Sequence, residues 1–248
     1  MKRLKRFGIL LFLLAICCVT CVKVISEDLP KGTKGQEAES MAQDMLNALN
    51  YPAWENTRYL RWTFFGGSHH YHWDKQENIA IIEWKDNKVV MDLDQVDGLA
   101  VSDGVKVEGD QKKKLIDKAW GFWCNDSFWF CAPYKIMDKG VERSVVEIDG
   151  KKGLMVSYNS GGVTPGDSYL WWLDDNNMPN SWQMWTNVLP IKGIQNTWED
   201  WTELSTGAKI STAHGGMKMK KMKASLSNVA GGNQLSDINL SEGAFNTK

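Results

Sequence analysis

Chemistry-bearing residues are scarce in this chain. Of 248 residues only 4 are histidine, 5 cysteine and 6 proline. Three cysteines, Cys17, Cys18 and Cys21, crowd the N-terminus; beyond them only Cys124 and Cys131 remain, with no CxxC pair of the kind that binds zinc. There is no GxSxG elbow, phosphate loop or dinucleotide fingerprint, and the Gly-Gly pairs that start at Gly66, Gly161, Gly215 and Gly231 lack that spacing. Basic and acidic residues balance at 29 against 30, which gives nucleic acid nothing to hold. No fixed repeat period suggests a propeller or solenoid.

Tryptophan is abundant instead, 13 against 6 tyrosines, which implies a Trp-rich core or aromatic binding platforms. Residues 116–134 concentrate Trp120, Phe122, Trp123, Phe128, Trp129, Phe130 and Tyr134, a cluster that is costly to leave in water. Charged helix formers precede it, so the pattern predicts a helix over 111–123 that turns aromatic and stops near Asn125-Asp126. Strands on either side must cover it. The stretch is then either the plug of a sheet-built core or one wall of an apolar ligand site.

Residues 1–21 read as a secretory signal: Lys2, Arg3, Lys5 and Arg6, then an apolar run too short to span a membrane, then small residues and cysteines. Removing those four charges leaves 25 basic against 30 acidic residues. Cys17 and Cys21 are candidate lipid-attachment residues of a bacterial lipoprotein, with plain cleavage as the alternative. The chain is expected to be exported to the bacterial periplasm or outer membrane. Residues 22–35, with Pro30, Gly32 and Gly35, read as a flexible tether, and 36–248 as a single β-rich domain.

Within that domain, Met41, Met45, Leu46 and Leu49 mark an amphipathic helix over 36–49. Strands over 58–65 and 68–74 flank Gly66-Gly67; pairing Phe65 with Ser68 puts Leu60, Trp62, Phe64, His69, Tyr71 and Trp73 on one face and leaves a mostly wet opposite face. A second hairpin around Asp86-Asn87 collects Ala80, Ile82, Trp84, Val89, Met91 and Leu93. Further strands are expected over 143–148, 152–158, 168–173, 180–186, 199–204 and 209–213, separated mostly by turn compositions. From Met217 on, alternating Met and Lys fit an edge strand, or else a basic membrane-facing patch.

His70, His72 and Asp74 share one strand face, a weak metal arrangement, because the same register sets Arg61 opposite His72. An ion-paired or solvated face is the better reading, so no metal and no cofactor is expected. Asp126, inside the aromatic stretch, reads as a helix end or turn. Cys124 and Cys131, seven apart among aromatics, favour two buried thiols over a disulfide. Trp171, Trp172, Trp182, Trp185, Trp198 and Trp201 would stack sugars if exposed on one sheet face, but neighbours such as Trp171 and Trp172 point to opposite faces.

An envelope signal, an N-terminal amphipathic helix, a long antiparallel meander, an internal helix ending in Phe128-Trp129-Phe130-Cys131-Ala132-Pro133 and then more strands together resemble the LolA-like superfamily of envelope lipoprotein carriers and related lipoproteins. The resemblance implies an incomplete antiparallel barrel curved round helices, with an apolar cavity for acyl chains, and makes Arg58, Arg61 and Arg143 candidates for a cavity arginine. The expectation is therefore a mainly β (α+β) protein, a curved antiparallel sheet covered by two helices. It would bind a lipid or an acylated protein without catalysis, through Trp62, Phe64, Tyr71, Trp73, Trp84, Trp123, Trp129 and Tyr134. A glycan-binding surface protein using exposed Trp, or a metal-dependent enzyme using His70 and His72, are the alternatives.

Overall fold

Alternating side chains build the first half of the sheet, and its turns fall where a residue takes positive φ. β1 (Tyr59–Phe64), β2 (His69–Asp74), β3 (Ile79–Trp84), β4 (Asn87–Asp92), β5 (Asp97–Ser102) and β6 (Val105–Lys106) form an antiparallel meander in this computed structural model, which describes residues 26–159, 166–216 and 219–247. Asn78, Lys85, Val96 and Asp103 supply the left-handed backbone at four of its turns. The β1–β2 register is the expected one, with Phe64 opposite His69 and Arg61 opposite His72. The β3–β4 turn sits one residue earlier than expected, at Lys85-Asp86, because Trp84 pairs with Asn87. The same side chains still point inward: Ala80, Ile82, Trp84, Val89 and Met91 are all buried.

The second half consists of β7 (Val141–Ile148), β8 (Lys151–Tyr158), β9 (Asp167–Leu173), β10 (Pro179–Trp185), β11 (Ile194–Thr197), β12 (Glu199–Glu203), β13 (Lys209–Gly216) and β14 (Met219–Gly232). β11 and β12 pair with β13 in one continuous register, Asn196 opposite Gly216 and Glu199 opposite Ala213. The break between them turns Trp198 into the core. The described strands make one curved antiparallel sheet in the order β6-β5-β4-β3-β2-β1-β14-β13-β11-β10-β9-β8-β7, and it does not close. β14 thus lies inside the strand order, between β1 and β13. It is the seam: its residues 226–232 pair with β1 and its residues 219–225 with β13, so one long strand carries the ladder from one half of the sheet to the other. Residues 217–218 of the Met/Lys stretch lie outside the described residues, as does the signal-like segment with Cys17 and Cys21.

Among the described residues three α-helices accompany the sheet: α1 (Gln36–Ala48), α2 (Tyr51–Asn56) and α3 (Gly109–Cys131). α1 buries Ala38, Ala42, Met45 and Leu46, as its spacing dictates, and lies beside β7 and β8. α3 corrects the sequence reading: it continues through Asn125-Asp126-Ser127 and ends only at Cys131, ahead of Pro133. The polar trio does not break it because the Asp126 side chain finds tertiary partners instead of capping its own backbone. Ile116, Ala119, Trp123, Asp126 and Phe130 consequently share one buried face.

The opposite face of the sheet is drier than expected. Tyr59, Thr63 and Asp74 are buried there; Phe245 stacks on Tyr59 at 6.1 Å, and Arg58 pairs with Asp74 at 2.9 Å. In the second half, Val146, Met155, Leu170, Trp172 and Trp185 form a small outer cluster. Residues read as a free tether reach it: Trp185 Nε1 donates to the carbonyl of Glu27 (2.8 Å), and Thr33 exchanges backbone hydrogen bonds with Val145 on the β7 edge (2.8 and 2.9 Å).

β5 approaches β4 closely at Gly98, where a Cβ would lie 1.9 Å from the Val90 carbonyl oxygen. Gly98→Ala is expected to push the strands apart and lower unfolding free energy by about 1–3 kcal/mol or more, measured by urea denaturation.

Candidate functional site

The inner face of an unclosed sheet must be filled from outside the sheet, and α3 fills it. Trp62 of β1 lies between its cross-strand partner Tyr71 (centroids 4.7 Å, 12°) and Phe130 of α3 (4.3 Å, 14°). Trp123, seven residues before Phe130 on α3, meets Trp62 at 5.7 Å, Tyr71 at 6.2 Å and Trp73 edge-on at 5.2 Å. Trp84 joins through Phe122 at 5.5 Å. Four of the eight expected ligand residues thus form one aromatic cluster with Trp84 at its border.

The remaining three lie around that cluster, and Tyr134 reaches it through Trp54, which is 6.1 Å from Trp73 and 6.3 Å from Phe130. Tyr134 stacks on Trp54 of α2 at 4.3 Å and donates its hydroxyl to the Leu49 carbonyl (2.9 Å), an assembly that ties the helices to β13. Trp129 belongs to the second half, edge-on to Trp182 (5.4 Å) and His214 (5.3 Å). Phe64 lies beside His69 near the hairpin tip. Six of the eight are buried, and only Phe64 and Trp129 are half-exposed. The rings pack on one another, so at rest the cluster is core.

The polar centre of this core was not read from the sequence as such. Asp126, 1% exposed, accepts from the Tyr71 hydroxyl (2.6 Å), pairs with Nδ1 of His69 (2.6 Å) and takes the Asn125 amide on its other oxygen (2.7 Å). The His69 ring stacks on Phe122 at 3.8 Å. Burial first, then the charge of Asp126, hold the Tyr71 phenol well above its ordinary value, so it stays a donor. A signal was available: an aspartate at helical spacing from Trp123 and Phe130 belongs on the aromatic face once the helix is allowed to continue.

Other expected chemistry is dispersed. His70 and His72 lie on the opposite face, and among the described residues no group of three or more His, Cys, Asp or Glu is placed to hold a metal. Cys124 and Cys131 are free, and burial pushes both thiols up to about 11, which suppresses the thiolate. Of the six tryptophans of the second half, Trp171, Trp182, Trp185 and Trp198 are buried, leaving no continuous exposed platform among them. Trp171 and Trp172 do face opposite sides, one in the main core and one in the outer cluster. Arg143 binds Glu39 (2.9 Å) and the Ile136 carbonyl (2.7 Å); neither it, Arg58 nor Arg61 joins the aromatic cluster.

Two outcomes are expected. Asp126→Leu strands the Tyr71 hydroxyl and His69 Nδ1, at about 1–3 kcal/mol each, whereas Asp126→Asn keeps an acceptor and loses less; urea denaturation measures both. His214 is buried against Trp129 and Trp198, and burial lowers it from 6.5 to about 4. The unfolded chain therefore takes up its proton first as pH falls, so stability is lost between about pH 6.5 and pH 4 and His214→Phe flattens that loss, read from unfolding free energy against pH.

No family model matches the chain, and no curated protein is similar to it in sequence. Among solved structures it is similar to the crystal structure of a DUF1329 family protein from Desulfovibrio piger, at 9% identity and a TM-score of 0.45, over 85% of this chain and 98% of that one.

Proposed function

We propose that the protein is a non-enzymatic component of the bacterial envelope that binds an apolar ligand, a lipid or the acyl chain of a lipoprotein, along the seam between the curved sheet and the helices α1 and α3. The observation behind this reading is that one long helix, not a second sheet, fills an unclosed sheet from one half to the other. Trp123 and Phe130 meet β1 and β2, while Phe128 meets Tyr169 (4.5 Å) and Trp129 meets Trp182 in the second half. An acyl chain offers the same kind of apolar surface as these rings and gains about 0.8 kcal/mol per buried methylene, so it can replace helix contacts on the inner face.

Phe64 and Trp129, the two half-exposed members, mark where the seam reaches solvent. Trp62, Tyr71, Trp73, Trp84, Trp123 and Tyr134 supply the wall behind them. The expected export signal and the candidate anchors Cys17 and Cys21 would hold such a protein beside its ligand, with the LolA-like resemblance pointing the same way.

Native mass spectrometry of the protein purified from the envelope of an expressing bacterium is expected to show a bound mass in the lipid range that is released on denaturation and lost in Trp123→Asp. Protein that arrives empty and stays empty after incubation with phospholipid and fatty acid would sink the reading. Trp129→Ala, at the half-exposed end, serves as the variant if Trp123→Asp does not fold.

A further inference from the structure

The face of the sheet away from the aromatic core carries its own cluster of polar side chains. Arg61 and Thr63 of β1, His70 and His72 of β2, Glu83 of β3 and Asn228 of β14 line a depression of about 330 Å3. Register brings them together: Arg61 is opposite His72, Thr63 opposite His70, and His70 opposite Glu83. A bulge in the β1–β14 ladder between Arg61 and Thr63, with Asn228 in the left-handed region (φ 53°), turns the asparagine toward them. Bulges of this kind re-aim side chains beside functional sites.

The depression holds more donors than acceptors. Arg61 gives Nε to the Asn228 carbonyl (3.1 Å) and Nη1 to the Ile238 carbonyl (3.4 Å), contacts that aim the guanidinium and leave Nη2 without an acceptor among the described residues. Thr63 Oγ1 accepts from the Asn228 amide (3.2 Å) and lies 3.0 Å from His70 Nδ1. His72 Nδ1 is buried with no hydrogen-bond partner among the described residues, a state that costs free energy unless something fills it. Glu83 is the one carboxylate lining the depression, and Lys88 Nζ stands 3.5 Å from it.

We propose that this depression is a binding site for a small oxyanion, a phosphate or a carboxylate group, held by Arg61 and His72 with His70 and Asn228 at its edge. A cation is disfavoured there by Arg61. The site lies on the other face of the sheet from the apolar seam and does not depend on it. Four charged or titratable neighbours bear on His72: Glu83 raises its proton affinity, while Arg61, Lys88 and His70 lower it, and burial, the largest influence, brings it to about 4. An anion at the site favours the protonated ring, so binding takes up a proton and tightens as pH falls.

Histidine side-chain NMR on the whole protein tests this with two probes at constant ionic strength in chloride. The probes are inorganic phosphate and monomeric dihexanoyl phosphatidic acid. Saturable shifts of His72 and His70, with a rise of about one unit in the His72 midpoint, are expected, and at least about tenfold weaker binding in Arg61→Gln. A response to phosphate assigns the site to free anions, and a response to the phosphatidic acid alone assigns it to a lipid headgroup; both uphold the proposal. No saturable shift with either probe up to about 50 mM, well beyond a millimolar dissociation constant, overturns it, as does equal binding by Arg61→Gln. Should Arg61→Gln fail to fold, Glu83→Gln replaces it: removal of the opposing carboxylate must tighten binding, and unchanged or weaker binding overturns the proposal.

Discussion

The stack of Tyr71, Trp62 and Phe130 is the contact on which the rest of the molecule depends. A closed barrel fills itself with its own side chains, whereas this sheet ends at β6 on one side and β7 on the other and needs an insert. The insert is α3, which reaches the inner face through rings. An aromatic ring buries about 150–250 Å2, worth at most about 4–6 kcal/mol of transfer free energy at the usual coefficient. The stack joins two strands and a helix at one point, so each element is held only while the other two are in place.

Apolar stacking is strong but poor at fixing position, since a ridge of rings can slide along a groove of rings. Asp126 removes that freedom. Its two oxygens are taken by Tyr71 and His69 from β2 and by Asn125 from its own helix, and a shift of one helical turn would leave the carboxylate buried without partners. The polar cluster thus sets the register of α3 on the sheet, while the rings around it supply most of the burial. Just beyond the end of α3 the Tyr134 hydroxyl plays a similar part, bridging the end of α1 to β13.

How far this was legible follows from how local each feature is. The inward faces of β1 to β4 came from period-2 alternation alone, and the β1–β2 register from the hairpin centred on Gly66-Gly67. α1 was readable from its Met and Leu spacing. The end of α3 was not, because Asn125-Asp126-Ser127 has the composition of a turn and only β2, distant in sequence, supplies the partners that let the helix run on. The place of β14 was hidden for the same reason: nothing within the Met/Lys stretch says that the strand it begins will go on, through residues 226–232, to pair with β1, more than 150 residues earlier. How the eight aromatic residues group was not legible either, because which half of the sheet each part of α3 crosses decides it: Trp123 meets β1 and β2, and Trp129 meets Trp182 of β10.

The choice of tryptophan bears on what this core is for. Trp62, Trp73, Trp171, Trp182 and Trp198 bury indole N–H groups that have no hydrogen-bond partner among the described residues. A core selected for packing alone would do better with phenylalanine, since each unpartnered buried donor costs about 1–3 kcal/mol. These five donors line the inner face on both sides of the β1–β14 seam, the surface crossed by α3. An acyl chain alone would not use them; an acyl chain ending in ester or amide carbonyls would. On the reading proposed above, these donors would favour a ligand that carries acceptors, such as the glyceride and amide linkages of an acylated lipid or lipoprotein, over a plain hydrocarbon.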